Sequence, residues 1–170
     1  TGYMDIQIRP ANTDDANAIR DIFREVIQDG TSYVFAADTP DKAIHTYWFA
    51  PETKTFVAED RGWVLGMYKL MPAFPGHGSH LATASFMVAP GQQRRGIGTR
   101  LAEHCLIEAK KAGFRAMLFP YIISTNEGSV SLWRKIGFTT IGTVPGGFNH
   151  SELGFVDTYI MFRTLEDIPD

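Results

Sequence analysis

The stretch "VAPGQQRRGIGTRLAEHC", Val88 to Cys105, constrains the fold more than any other part of the chain. An alternating segment, "SHLATASFMVAP", stops at Pro90, where the missing N–H and fixed φ end a strand. Two glycines, Gly96 and Gly98, then open a run of helical period that lasts to about Ala112, with Gly113 suited to the residue beyond its end. A strand running through a tight glycine turn into a helix belongs to a layered α/β structure, since the helix must pack back on the sheet that the strand joins.

Such a turn is also chemically active. The first helical turn leaves N–H groups without intrahelical partners, and the macrodipole adds partial positive charge there. Glycine lets the backbone turn sharply and approach an anion, and Arg94 and Arg95 add forked donors suited to phosphate oxygens. The segment alone is equally compatible with a surface helix start carrying two solvated arginines. A nucleotide P-loop requires Lys-Ser/Thr after its last glycine, where Thr99-Arg100 stand, and a dinucleotide fingerprint requires a third glycine where Leu101 stands.

The rest of the chain supplies the other layers. "MDIQIRPA" predicts a first strand, and a helix capped by Thr13 runs to about Gln28 with Ile19, Ile22, Phe23, Val26 and Ile27 on one face. A loop, "TSYVFAADTP", leads to a short helix, "DKAIHTYWF". Strands follow at "TKTFVAED" and "GWVLGMYKLMPAF", hairpinned at Asp60-Arg61-Gly62, and then the strand ending at Pro90. After the glycine turn and its helix come a strand "RAMLFPY", a helix opened by Asn126, and strands "FTTIGTV" and "FVDTYIMFRTL" separated by a predicted Gly-rich loop, "PGGFNHSELG". The order β-α-α-β-β-β-α-β-α-β-β predicts one mixed α/β domain over residues 4–170, and the leading "TGY", residues 1–3, has the look of a tag remnant.

Composition narrows the partners. A net charge of −3 lacks the basic excess of nucleic-acid or anionic-membrane binders. No apolar run approaches the ~20 residues of a membrane-spanning helix, and no metal-ligand cluster stands out. One cysteine, Cys105, sits among apolar helix residues and forms no intramolecular disulfide, so a cytoplasmic location is expected and the thiol reads as structural.

On these residues the chain resembles the GNAT superfamily of N-acetyltransferases. Its acetyl-CoA motif, Gln/Arg-x-x-Gly-x-Gly/Ala, corresponds to Gln93-Arg94-Arg95-Gly96-Ile97-Gly98, and its second signature corresponds to "NEGSVSLWRKIGF", Asn126 to Phe138. The resemblance implies an α/β fold: a mixed, mostly antiparallel sheet of six to seven strands, splayed at its centre and flanked by about four helices. It implies acetyl-CoA as co-substrate, a small amine as acceptor, direct attack within a ternary complex, no metal, and a homodimer as the expected assembly.

Residue by residue, it implies pyrophosphate held at Gln93, Arg94, Arg95, Gly96, Ile97, Gly98 and Thr99. It places the pantetheine arm beside Met87 and Val88 and near Phe119 to Tyr121, with Asn126, Ser129 and Trp133 along it. Asn126 serves equally well as a plain helix N-cap. The backbone N–H near Val88 would polarise the thioester carbonyl. The family's usual acid, a tyrosine, is Trp133 here, whose indole N–H does not ionise, so the thiolate either leaves unprotonated or takes its proton through water or from the nearby Tyr121. The usual carboxylate falls at or near Thr83, which leaves His80 as the candidate base, since imidazole titrates near ~6.5. The expected acceptor pocket includes Tyr33, Tyr68, Thr83 and Phe148.

"FPGHGSH", Trp133 and the Tyr47–Phe49 triplet are also similar to fungal N-acetyltransferases of azetidine-2-carboxylate and other proline analogues. Two pocket asparagines of that subgroup correspond to Thr83 and Pro120, which counts against the same substrate and leaves small amino-acid-like amines open. A catalytically weak acetyl-CoA-binding module is the competing reading, and a nicotinamide-dependent oxidoreductase has only the Gly-Ile-Gly in its favour.

Overall fold

The structure is a computed structural model that describes residues 5–92 and 95–170. The expectations for residues 1–3, Gln93 and Arg94 lie outside the described residues.

Seven strands form one sheet in the order β1-β2-β3-β4-β5-β7-β6. They are β1 (Gln7–Pro10), β2 (Lys54–Asp60), β3 (Trp63–Pro72), β4 (Leu81–Val88), β5 (Ala116–Ile123), β6 (Thr139–His150) and β7 (Gly154–Thr164). Every neighbouring pair is antiparallel except β4 and β5. Helices α1 (Ala16–Ile27) and α2 (Asp41–Phe49) cover one face; α3 (Ile97–Lys111) and α4 (Glu127–Lys135) accompany the other.

Strand alternation divides the core accordingly. Val57, Met67 and Met87 pack with Ile19, Phe23, Ile44 and Trp48 on the α1–α2 face. Phe56, Tyr68, Leu70 and Ala82 pack with Leu101, Cys105, Phe119 and Trp133 on the opposite face. Successive residues therefore face opposite layers, as the two-residue strand period requires.

Two expectations needed correction. The cap of the first helical segment is Asn12, not Thr13: Asn12 Oδ1 accepts from Asp14 N–H and Asp15 accepts from Asn12 N–H, so Thr13–Asp15 form a 3₁₀ turn before α1. The segment "PGGFNHSELG" is not a loop, because β6 continues through it to His150. Pro145 is tolerated since β6 is the sheet edge, and the ladder slips between Val144 and Phe148, where β6 carries three residues opposite Asp157 alone. Gly146, at φ +62°, donates to Asp157 Oδ1 at 3.0 Å. A Cβ on Gly147 would lie 2.4 Å from Thr158 Oγ1, so that close approach admits only glycine.

Candidate active site

Strands β4 and β5 pair at only two positions, Leu81↔Ala116 and Ala82↔Met117, and then diverge. The cause lies in β5, where Pro120 and Tyr121 stand opposite Ile160 alone. Proline cannot donate to a ladder, and the extra residue bends the strand.

The divergence leaves one edge of β4 open. Ala73 N–H donates to the Leu81 carbonyl at 2.8 Å and Ala89 N–H to the Leu65 carbonyl at 2.8 Å. Antiparallel alternation therefore turns the backbone groups of Leu81, Thr83, Ser85, Met87 and Ala89 toward β3, and those of Ala84, Phe86 and Val88 toward the gap. Val88 N–H thus points where an added strand would lie. Met87, expected beside it, does not: its backbone is engaged by β3, and its side chain, 2% exposed, is buried on the α1–α2 face.

At the end of this edge the chain turns into α3. Gly96 is the N-cap at φ +76°, with no side-chain cap, so the first-turn N–H groups of Ile97, Gly98 and Thr99 keep no intrahelical partner. The chain itself does not need Gly98 for space, since a Cβ there would meet Leu132 and Val88 only at 3.9 Å, and one on Gly96 would meet nothing within 4 Å. Ile97 anchors the turn through a buried side chain. The Arg95 guanidinium does not project freely as a phosphate donor, as expected, but is held by Asp60 at 3.1 Å and by Gln92 Oε1 at 2.7 Å. That pairing ties the turn to the β2–β3 hairpin.

A cavity of ≈ 310 Å³ opens at the divergence. Thr83 to Phe86 of β4, Phe119 to Ile123 of β5, and Asn126, Ser129 and Trp133 of α4 line it, together with Ser32 to Phe35 of the α1–α2 loop, Tyr47 of α2 and Met71 of β3. Trp133 is packed between Phe86 at 4.8 Å and Phe119 at 4.7 Å, ring centre to ring centre. Asn126 Oδ1 caps α4 on Ser129 N–H at 3.3 Å, and its amide N–H groups make no hydrogen bond with the described residues, so capping and ligand binding are compatible. The Tyr121 hydroxyl donates to the Gly147 carbonyl at 2.6 Å, and burial raises its pKa. Tyr33 donates to the Phe86 carbonyl, bridging the α1–α2 loop to the open edge of β4.

Three expected residues are misplaced. Tyr68 has no exposed surface; it faces α3, where its hydroxyl is 2.7 Å from His104 Nδ1. Phe148 is buried on β6 and lies outside the cavity lining. His80 is exposed and precedes β4 at the end where β4 and β5 are still paired, three residues or about 10 Å of strand short of Thr83. It does not line the cavity and cannot serve as its base. His150 is also unsuitable: Nδ1 accepts from the N–H groups of Glu152 and Leu153, leaving the proton on Nε2. Sequence reasoning singled out Tyr47 only within a resemblance and gave neither it nor Ser85 a site role, yet the Tyr47 hydroxyl is 2.5 Å from Ser85 Oγ on the cavity wall. The alternation Thr83, Ser85, Met87 was a visible signal that Ser85 shares Thr83's face.

A sheet parted at one strand pair, with an open backbone edge leading to an uncapped glycine helix start, is an arrangement suited to a phosphate-bearing ligand held through main-chain groups. The model of the Acetyltransferase (GNAT) family matches residues 17–138, and the chain belongs to this family of N-acetyltransferases. It is similar to N-acetyltransferase aca1 of Schizosaccharomyces pombe, 34% identical over 122 residues, which are 69% of this chain and 58% of that protein. It thus spans little more than half of that relative's length. The L-amino acid N-acyltransferase MnaT of Escherichia coli is 27% identical over 146 residues, 82% of this chain and 83% of that protein. A solved GCN5-related N-acetyltransferase from Kribbella flavida superposes with a TM-score of 0.91 at 38% identity, covering 95% of this chain and 98% of its own.

Proposed function

We propose that this protein transfers the acetyl group of acetyl-CoA to the amino group of a small, amino-acid-like acceptor, by direct attack with both substrates bound. The observation that carries the reading is the open edge of β4, which runs from the cavity to the uncapped start of α3. Acetyl-CoA supplies an activated thioester and a pyrophosphate. The N–H groups of Ile97, Gly98 and Thr99 would hold the pyrophosphate, and Ala84, Phe86 and Val88 offer backbone groups to the arm and the thioester oxygen. Asn126 and Ser129 would flank the arm, and Trp133 closes its apolar side.

The acceptor approaches from the α1–α2 face, past Tyr33, Tyr47, Thr83 and Ser85. Among the described lining residues none is a carboxylate or imidazole, so the amine enters as its free base or loses its proton through water. Tyr121 is the candidate to protonate the departing thiolate, provided that its hydroxyl first turns away from the Gly147 carbonyl. MnaT's name supports the amino-acid class. The same lack of a base favours a second reading, a weakly catalytic acetyl-CoA-binding module. Measuring CoA release with amino acids, polyamines and antibiotic amines separates them: acceptor-dependent turnover is expected, and tight acetyl-CoA binding without it would favour the module.

Two further parts of the reading concern context. Ile141, Val144, Leu153 and Phe155 are exposed on the edge hairpin β6–β7, which supports a homodimer through that hairpin. Phe155→Glu should then reduce the mass seen in light scattering by half. A free, buried Cys105 thiol is consistent with a cytoplasmic location. No described helix is long and apolar enough to cross a membrane.

A further inference from the structure

Lys69 is a charge in an unusual place. It lies mid-strand in β3, 4% exposed, on the face covered by α1 and α2. A buried ammonium is ordinarily matched by a carboxylate. Among the described residues no carboxylate pairs with Lys69: its Nζ donates to the Tyr47 carbonyl at 2.8 Å and lies 3.2 Å from the centre of the Tyr47 ring. Burial pushes its pKa down to about 8, so the charge is held against its desolvation.

Tyr47 connects this charge to the cavity. Its ring rests against the ammonium, while its hydroxyl meets Ser85 Oγ on the cavity wall. Whichever of the two hydroxyls donates to the other, one hydroxyl hydrogen remains for a third partner. A cation on the ring face draws electron density from the phenol and makes it a stronger donor. The other polar lining side chains, Ser32, Tyr33, Thr83, Tyr121, Asn126 and Ser129, are all neutral. The wall thus offers donors backed by a positive charge and, among the described residues, no anion to receive a second ammonium.

We infer that Tyr47 and Ser85, with Lys69 behind the Tyr47 ring, receive an anionic group of the acceptor. The acceptor class is therefore an amine that also carries a carboxylate or similar oxyanion, not a polyamine. Tyr47 and Ser85 are specificity-determining residues in this account, and Lys69 is a positioning residue. The inference rests on the acetyl-transfer reading above.

The test compares L-leucine, L-leucinamide and isopentylamine, which share the isobutyl chain and differ in the group on the amine-bearing carbon, in wild type, Lys69→Met, Lys69→Arg and Tyr47→Phe. Each kcat/KM is expressed per free amine, because the three amines ionise at different pH. The wild type should favour leucine by about tenfold in kcat/KM, the discrimination typical of a charge-assisted hydrogen bond. Lys69→Met and Tyr47→Phe should bring the three acceptors within about threefold, mainly through KM, and Lys69→Arg should retain most of the preference. A preference for the amide or the amine, or a carboxylate preference untouched in Tyr47→Phe and Lys69→Met, overturns the inference. Should Lys69→Met not fold, as judged by circular dichroism, Tyr47→Phe alone decides it. Absence of turnover with any acceptor in the wider panel sinks the transfer reading itself, whereas turnover with the wrong preference sinks only this inference.

Discussion

Strand β4 presents its eight residues to two different tasks. Along the edge facing β5 it offers backbone: Ala84, Phe86 and Val88 point their main-chain groups into the gap. Across the face under α1 and α2 it offers side chains: Thr83 and Ser85, joined there by Tyr47 and backed by Lys69. The first task requires only a missing neighbour strand and a glycine turn. The second requires hydroxyls from several elements in one register. A backbone site tolerates changes of side chain but not of conformation or clearance, and a side-chain site behaves the opposite way.

The sharpest break in this comparison comes at Gly98. Its Cβ position is clear of the chain's own atoms to 3.9 Å, so Gly98→Ala should leave the melting temperature nearly unchanged. Gly98→Asp would set a carboxylate in the proposed pyrophosphate site. By calorimetry, acetyl-CoA affinity should fall by about a hundredfold or more in the Asp variant, roughly 3 kcal/mol, and by about tenfold in the Ala variant. Unchanged affinity in both would remove the donor assignment.

The opposite side should respond in a different parameter. Ser85→Ala deletes the partner of Tyr47 without touching the β4 edge. Acceptor KM should rise about tenfold while the acetyl-CoA Kd stays within about twofold, consistent with the loss of one hydrogen bond. A matching rise in the acetyl-CoA Kd would show that the two sides of β4 are not separable.

This division also explains what was legible beforehand. A backbone grip leaves local traces, namely glycines at fixed spacing, a strand stop and a helix period, so the turn at Gly96 to Thr99 and the cap at Asn126 could be read along the chain. A side-chain site is assembled by register, and register is set by hydrogen bonds between strands distant in sequence. Tyr68 was assigned to the acceptor side although it faces α3, because "GMYKLMP" does not say which face is which. A shift of one residue puts Lys69 and Met71 there instead. The chain through Pro145-Gly146-Gly147 reads as a loop by local rules, and only its place at the sheet edge lets β6 carry it as a bulge.

The buried charge gives a milder, pH-dependent signature. The folded-state pKa of Lys69 is about 8, below the ordinary 10.5. Between those values the unfolded chain binds more protons than the folded one, so this group makes stability rise with pH across about 8 to 10.5. Urea unfolding at pH 7, 8.5 and 10 should show that rise in wild type, relative to Lys69→Met. Equal pH slopes would mean that Lys69 is better solvated than its position indicates.

Trp133→Tyr probes the donor side where the family's usual acid is absent. The indole is wedged by Phe86, Phe119 and Phe138, and a phenol there would lose part of that contact. A stability loss of about 1 kcal/mol is expected, with kcat changed no more than about threefold. A tenfold gain in kcat would mean that thiolate protonation limits the wild-type rate and that Tyr121 does not supply it.

The smallest expected effect belongs to His80, and it tests whether geometry should outrank chemical suitability. Imidazole has the right ordinary pKa for a base, yet His80 is exposed at the paired end of β4 and does not line the cavity. A base must come within hydrogen-bond reach of its proton, directly or through one water, and about 10 Å of rigid, paired strand separates His80 from the nearest cavity residue on β4. His80→Ala should therefore leave both the magnitude and the acid-side limb of the kcat/KM–pH profile, where a general base titrates, unchanged. Its backbone carbonyl, which accepts from Arg115 N–H at 2.9 Å, survives the substitution, so the pairing of β4 with β5 is not disturbed. Loss of the acid-side limb would require that end of β4 to rearrange when both substrates bind, and would return the base to the residue with the best chemistry over the one with the best place.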